Sequence, residues 1–150
     1  RVMADRFVDD YLLYLLARAS SEVSAQFHAD LKQYGLQVSE WRVLASLSDG
    51  DGMLTGELAA RALQQQPTMT KTIDRMVRSG LVTRRRGAPD RRQVRVYITP
   101  EGRRRVENAL AAAKRHEAEV LSEYSREEAD RLKSMLRTLI ERNGAAAQDD

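Results

Sequence analysis

Residues 55–102 constrain the fold more than any other part of the chain, because two helical patterns and two strand patterns follow one another there without a long linker. Three glutamines, 64–66, separate the two helical patterns, and Gly80 closes the second. Strand patterns then occupy residues 81–85 and 93–98, and the second of them alternates apolar with polar residues. A helix, a turn, a helix and a β-hairpin in this order predict a winged helix-turn-helix.

Further helices are predicted on both sides of this region. Residues 4–33 carry apolar side chains at spacings of three and four, which is the period of one continuous helix, and Gly35 ends it. Ser39 is the expected N-cap of the next helix. Near the other end of the chain, Ser125 and Glu128 have the spacing of a capping box at the start of the last helix.

We therefore expect one domain over residues 1–150, mainly α-helical with a small β-hairpin wing. The winged helix-turn-helix at about 39–99 is flanked by helices at about 4–33 and 100–142. Their apolar stripes extend beyond what a winged-helix core requires, and an uncovered stripe is normally buried against another chain. A two-fold homodimer built from these helices is the prediction, and packing of the three helices within one chain is the alternative.

Positive charge is concentrated in one part of the sequence. The formal net charge is only +3, yet residues 71–105 contain 12 Lys or Arg against 3 Asp or Glu, and the rest of the chain is net negative. A solvated charged face normally mixes both signs, so a segment this basic indicates contact with phosphate groups. Double-stranded DNA is the leading candidate partner.

Several classes of protein are disfavoured by what the sequence lacks. It contains no cysteine, which excludes disulfides, thiolate metal sites and cysteine-based redox sensing. It has neither an apolar run long enough to cross a membrane nor a secretory signal pattern at its start. His28 and His116 lack metal-ligand spacing, and no phosphate-binding glycine loop or nucleophile elbow occurs. We expect a cytoplasmic protein that is not an enzyme and holds no metal or cofactor.

The two central helices divide into apolar and polar positions. The expected buried positions are Leu58, Ala59, Ala62 and Leu63 in the first helix and Met69, Ile73, Met76 and Val77 in the second. In a helix-turn-helix the second helix enters the major groove. Its polar residues are therefore the expected DNA contacts: Gln65, Gln66, Thr68 and Thr72 to bases, Lys71 and Arg75 to guanine or to phosphate alone, and Arg78, with Arg84 of the first strand, to the DNA backbone.

The wing carries a recognisable signature. Residues 90–102 (DRRQVRVYITPEG) resemble the pattern D-x-R, five residues, [LI]-T, two residues, G of the MarR family of transcription regulators. The preceding helix-turn-helix and the order of six helices with a hairpin are similar to that family over nearly the whole chain. The resemblance implies a homodimeric DNA-binding protein, usually a repressor, that a small molecule releases from a pseudo-palindromic operator.

The resemblance also implies roles for the wing residues. The arginine of the D-x-R pattern, Arg92, is expected to enter the minor groove, where narrow A·T tracts are most negative, and Asp90 to orient it. Arg91 and Arg86 are expected to flank it on phosphates. The alternative is a solvated turn that contains a weak surface ion pair.

An aromatic effector is the expectation for the ligand, because phenolic and other aromatic acids are frequent ligands in the family. The segments 11–31 and 40–47 resemble the subgroup that controls hydroxycinnamate breakdown, whose members respond to aromatic acyl-CoA thioesters. The expected pocket residues are Tyr11, Tyr14, Trp41 and Arg42. Aromatic residues at helical spacing also fit a packed core, which is the alternative to a ligand pocket.

Two functional alternatives stay open. One is an architectural DNA-binding protein without effector, and the other is a winged helix that docks on an acidic protein.

Overall fold

The computed structural model describes residues 6–87 and 92–144. These residues form seven α-helices, α1 to α7, and three β-strands, β1 to β3. In chain order they are α1 (Phe7–Asp10), α2 (Leu12–Asp30), α3 (Val38–Asp49), β1 (Met53–Leu54), α4 (Thr55–Arg61), α5 (Gln66–Arg78), β2 (Val82–Arg86), β3 (Val94–Ile98), α6 (Pro100–Val120) and α7 (Arg126–Gly144). The predicted fold class, mainly α with a small β wing, is confirmed. The chain divides into two compact units at Ala113 and Lys114.

The predicted continuous helix at 4–33 is wrong in detail, because the chain is extended at Tyr11 (φ −75°, ψ 124°). The Tyr11 N–H donates to the Val8 carbonyl at 3.2 Å, while its own carbonyl accepts from the Leu15 N–H at 3.0 Å. Tyr11 therefore ends α1 and starts α2. The sequence did not predict this break, because the apolar residues keep their helical spacing across it. After α2 the chain tightens into a 3-10 turn, and Gly35 (φ 66°) ends it as predicted.

Helix α3 begins two residues earlier than predicted. Its N-cap is Gln37 rather than Ser39. The reason lies in Glu40, whose carboxylate accepts the Gln37 backbone N–H at 2.8 Å and so satisfies a donor at the open helix end. Leu44 and Leu47 are buried, and the ring of Trp41 packs edge-on against Phe27 with centroids 5.1 Å apart.

Helices α4 and α5 form the predicted helix-turn-helix. Pro67 lies in the first turn of α5, where its missing N–H costs no hydrogen bond, and Gly80 (φ 75°) follows the C-cap. One predicted core residue is misplaced: Leu63 is 76% exposed and has a left-handed backbone (φ 58°). The turn between the helices requires this backbone conformation, and it points the side chain into solvent.

This strained turn gives a prediction for stability. A non-glycine residue in the left-handed region costs about 1–2 kcal/mol, and an exposed leucine gains little from burial. Leu63→Gly is therefore expected to raise the free energy of unfolding by about 1 kcal/mol in urea denaturation, after allowance for the greater freedom of glycine in the unfolded chain. Leu63→Ala keeps the strain and serves as the control. A glycine variant no more stable than the alanine variant would show that the turn is unstrained.

The sheet contains one more strand than predicted. Strands β2 and β3 match the predicted hairpin within one residue, and β1 adds to the other edge of β3, giving the antiparallel order β1-β3-β2. Asp51 holds this addition in place, because its carboxylate accepts the Ile98 N–H at 2.9 Å. Arg95 also donates to the Gly52 carbonyl at 2.8 Å. A two-residue strand is too short to give a sequence pattern.

Helix α6 is attached to the sheet through Thr99, in the [LI]-T part of the wing signature. The Thr99 hydroxyl accepts the Gly102 N–H at 3.0 Å and donates to the Gly80 carbonyl at 2.6 Å. Its backbone N–H donates to the Leu81 carbonyl at 3.1 Å. At Gly102, a Cβ atom would lie 2.3 Å from that same carbonyl oxygen. This part of the signature is therefore explained by packing.

The core of the first unit lies between the central helices and the sheet. Its fully buried large side chains include Leu31, Leu44, Leu47, Leu58, Met69, Ile73, Met76, Leu81, Val82, Val96 and Val106. They come from every layer of the unit, from the turn after α2 to the first half of α6. The helix-turn-helix and the wing are thus fixed to one rigid support.

The second unit contains the end of α6 and all of α7. The predicted capping box is confirmed, since Ser125 and Glu128 exchange hydrogen bonds of 3.1 Å in both directions. Lys133 pairs with Glu117 at 2.9 Å and so connects the two helices. The apolar stripe of α7 is exposed in the single chain at Leu132, Met135, Leu139 and Ile140. Within residues 6–87 and 92–144, no helix is long and apolar enough to cross a membrane.

Candidate nucleic-acid interface

The outer face of α5 presents most of the polar residues that the sequence predicted there. Thr68, Lys71 and Arg78 are exposed, and so are Gln65 and Gln66 at the start of the helix. The opposite face is buried through Met69, Ile73 and Met76 as predicted. Hydroxyl, amide and cationic donors are thereby held on one side of a helix whose other side is anchored in the core.

Thr72 does not belong to this outer face. It is only 4% exposed, and its hydroxyl donates to the Gln64 side-chain oxygen at 3.4 Å. Both 68-71-72-75 and 69-72-73-76 are spaced as helical stripes, and the stripes differ by one residue, or about 100° around the axis. Because Thr72 fits both, spacing alone placed it on the wrong face. Its place in the structure is that of a contact between α5 and the preceding turn.

Arg75 is only partly directed outward. Its Nε lies 3.5 Å from the Glu40 carboxylate of α3, and 40% of its side chain is exposed. Glu40 itself is 7% exposed and also caps α3. The pair connects the last turn of α5 to the first turn of α3.

Arg84 connects α5 to the wing. From β2 it forms an ion pair with Asp74 and donates to the Thr70 carbonyl at 3.3 Å. Asp74, the acid at the edge of the polar face of α5, therefore holds the hairpin against the helix. This arrangement is a direct contact between the two candidate DNA-binding elements.

A cleft of about 680 Å³ runs between α4, α5 and the wing. Most of the residues that line it are of polar type: Leu54, Thr55, Gly56, Glu57, Gln66, Thr70, Asp74, Arg84, Arg92, Gln93 and Val94. Two arginines from the wing thus face two polar residues of α5, Gln66 and Thr70, across one groove. The cationic groups lie on the wing wall, whereas the wall formed by α4 and α5 offers hydrogen-bonding groups together with the acids Glu57 and Asp74. Arginines and neutral hydrogen-bond donors are the groups that contact a phosphate backbone.

The rest of the predicted wing site is only partly described. Arg86 and Arg92 are exposed. Asp90 and Arg91 lie outside the described residues, so the contacts predicted for them stay predictions. The register pairs Arg86 with Val94, which places Arg86 at the distal end of the hairpin.

The four predicted ligand residues have separate surroundings. Tyr14 accepts a hydrogen bond of 2.8 Å from Arg18, which raises the pKa of that guanidinium, and Tyr11 stacks on Phe7 at 5.0 Å. Trp41 packs on the core, and Arg42 donates to the Ala62 carbonyl at 3.3 Å. None of these four described residues lines the cleft between α5 and the wing.

Sequence reasoning missed the acids of this site. No binding or positioning role was predicted for Glu40 or Asp74. Thr70 and Gln93 were not singled out, although both line the cleft. A signal was present for Asp74, which is the single acid among the basic residues of α5.

Comparison with known proteins agrees with this geometry. The model of the MarR family matches residues 34–93. A MarR family transcriptional regulator from Silicibacter pomeroyi DSS-3 is 47% identical over 91% of this chain and 98% of its own, with a TM-score of 0.81. The transcriptional repressor CouR, solved on a 23-mer DNA duplex, is 28% identical over 89% of this chain and 94% of its own, with a TM-score of 0.77.

A curated relative supports the same assignment. The homoprotocatechuate degradative operon repressor of Escherichia coli is 25% identical over 140 residues, which cover 93% of this chain and 95% of the repressor. These relatives are regulators rather than enzymes, which confirms the non-enzymatic expectation. The chain has the winged helix-turn-helix and is 47% identical to a MarR family regulator over 98% of that regulator's length. The chain therefore belongs to the MarR family of transcription regulators.

Proposed function

We propose that this chain is a homodimeric repressor that binds a pseudo-palindromic DNA operator and is released from it by a small aromatic ligand. The observation that carries the DNA-binding part is the shared groove, in which arginines of the wing face polar side chains of α5. A duplex that placed α5 in its major groove would bring its sugar-phosphate backbone along this cleft.

The exposed residues of α5 are suited to contacts with bases. Thr68 and Lys71 project from its outer face, and Gln65 and Gln66 stand at its N-terminal end, which approaches base edges in helix-turn-helix proteins. Amides match adenine, and a lysine matches the acceptors of guanine. Arg78 at the end of α5 and Arg86 on the wing are exposed, and we propose them as phosphate contacts.

A dimer follows from apolar surface that the single chain leaves uncovered. At the N-terminal end Phe7, Val8, Leu12 and Leu13 are exposed, and α7 exposes a stripe that includes Ile140 at 70%. Stripes of this extent are normally covered by another chain. A two-fold dimer also presents two copies of α5, as a pseudo-palindromic operator requires.

An aromatic effector is supported by the relative that represses a homoprotocatechuate degradative operon, since homoprotocatechuate is an aromatic acid. The N-terminal region also holds Tyr11, Tyr14 and Trp41, with Arg42 as a candidate partner for an acidic group.

The test of the effector starts from a preformed protein–DNA complex, which is followed by fluorescence anisotropy. A hydroxycinnamate and its CoA thioester are titrated in, with acetate and acetyl-CoA as controls. Release by an aromatic compound supports the proposal. A complex indifferent to all four overturns the effector part and leaves DNA binding intact.

The wing gives a separate prediction. Arg92→Ala is expected to weaken binding about tenfold on duplexes with A·T-rich flanks, because a narrow minor groove attracts an inserted arginine most strongly. On G·C-rich flanks the loss is expected to be smaller. Arg131→Ala, which removes the same charge from α7, is the control for a general effect of charge. Equal losses on both flanks would place Arg92 on phosphate rather than in the minor groove.

A further inference from the structure

We propose that Glu40 is a positioning residue for DNA binding, which holds Arg75 so that the outer end of its guanidinium faces the duplex. The proposal rests on the proposed function, because it needs α5 to bind DNA. An acid near a duplex ordinarily weakens DNA binding, because phosphates repel it. Glu40 is instead given a role that strengthens DNA binding.

The two oxygens of the Glu40 carboxylate have different contacts. Oε1 accepts the backbone N–H of Gln37 at 2.8 Å and thereby caps α3. Oε2 lies 3.5 Å from Nε of Arg75. Because Glu40 is 7% exposed and its position is set by the cap, the carboxylate is a rigid point of attachment.

Arg75 has one end inside the protein and one end outside. Its Nε is buried, and within the described part of the chain no acceptor meets it in full hydrogen-bond geometry, so the attraction of the carboxylate is what holds it. Still, 40% of the side chain is exposed. Arg75 lies one helical turn beyond the exposed Lys71. A planar guanidinium that contacts a carboxylate through Nε has further N–H groups in the same plane with which to donate to a second acceptor.

Holding an arginine in place favours binding through entropy. A free arginine loses rotamer freedom when it contacts a phosphate or a base, and a pre-oriented one has already lost it. Glu40 is therefore expected to strengthen DNA binding through Arg75 without touching DNA. The ion pair also sets the distance between α3 and the last turn of α5.

The sign of the effect distinguishes this role from simple electrostatics. Removing a carboxylate near a duplex normally strengthens binding, because phosphates repel it. We expect Glu40→Gln to weaken binding about tenfold, since the amide oxygen still caps α3 but no longer attracts Arg75. Glu57, an exposed acid that lines the cleft, is the matched control, and Glu57→Gln is expected to bind more tightly.

The experiment measures anisotropy on a duplex taken from directly upstream of the chain's own gene, over a range of salt concentrations. It compares wild type, Glu40→Gln, Arg75→Ala and the double variant, with circular dichroism and thermal unfolding as checks on the fold. If Glu40 acts through Arg75, the double variant binds like Arg75→Ala alone. The slope of log affinity against log salt concentration is expected to fall in Arg75→Ala by the amount for about one phosphate contact. We expect Glu40→Gln to lower this slope as well.

Arg75→Lys tests the same idea without changing the α3 cap. Lysine keeps the charge but has no group equivalent to Nε, so it is expected to bind about as weakly as Glu40→Gln. Three results would each overturn this inference while leaving the proposed function intact. They are additive losses in the double variant, tighter binding by Glu40→Gln, and wild-type affinity in Arg75→Lys. A wild-type protein that binds no duplex even at low salt would overturn the proposed function together with it.

Discussion

Gly102→Ala is expected to lower the free energy of unfolding by about 2–3 kcal/mol, although a glycine-to-alanine change within a helix ordinarily raises it by up to about 1 kcal/mol. The added Cβ would lie 2.3 Å from the Leu81 carbonyl oxygen and 2.9 Å from Cγ1 of Ile98. The first of these is a backbone atom that also accepts the Thr99 N–H, so it has no free rotation by which to move away. The start of α6 has to shift from the sheet instead. Urea denaturation at fixed protein concentration measures the loss.

Gly56→Ala is the matched control for this substitution. Gly56 also lies in a helix, and a Cβ there would meet only the end of the Gln66 side chain at 3.7 Å, an ordinary contact. This variant is expected to be as stable as the wild type or slightly more stable. A Gly102→Ala protein as stable as the control would contradict the packing account of the glycine in the wing signature.

Leu139→Asp is expected to convert the proposed dimer to single chains and to weaken operator binding by about 100-fold or more. Leu139 belongs to the exposed stripe of α7, and an aspartate there would have to lose its hydration if a second chain covered the stripe. Two half-sites bound by linked subunits gain about 10²–10⁴ in apparent affinity, and separate chains lose that gain. Sedimentation gives the mass in solution, and anisotropy gives the affinity.

Ser134→Asp supplies the comparison for the dimer. Ser134 is exposed and lies on the side of α7 opposite the apolar stripe. This variant carries the same new charge on the same helix and is expected to remain dimeric. A Leu139→Asp protein with the mass of two chains would show that the interface lies elsewhere.

The order of elements could be predicted from sequence because local patterns determine it. Glycines at 35 and 80 end helices through positive φ values, and Ser125 with Glu128 caps α7. Apolar and polar residues alternate in a half-buried strand, so the sequence predicts β3 within one residue. Sequence patterns did not predict features that depend on the backbone conformation of a single residue. Tyr11 breaks a helix without disturbing its stripe, and Leu63 has a left-handed backbone that a leucine side chain does not indicate.

The candidate DNA-binding surface was predictable in its location but not in its connections. A basic segment with a helix-turn-helix indicates which elements face DNA. Which arginines are held by acids depends on tertiary contacts, as in the pairs Arg75–Glu40 and Arg84–Asp74. Thr72 shows the same limit, since two overlapping stripes include it and only packing decides between them.

We expect α5 and the wing together to bind a specific two-fold DNA sequence. Selection of wild-type protein against a pool of random duplexes, followed by sequencing of the bound fraction, tests it for any operator sequence. The expected result is enrichment of a pseudo-palindromic sequence with half-site centres about 34–36 Å apart, one turn of DNA. We also expect this sequence to bind about 10³-fold or more tightly than random duplex. A bound fraction with the same composition as the starting pool would contradict the account.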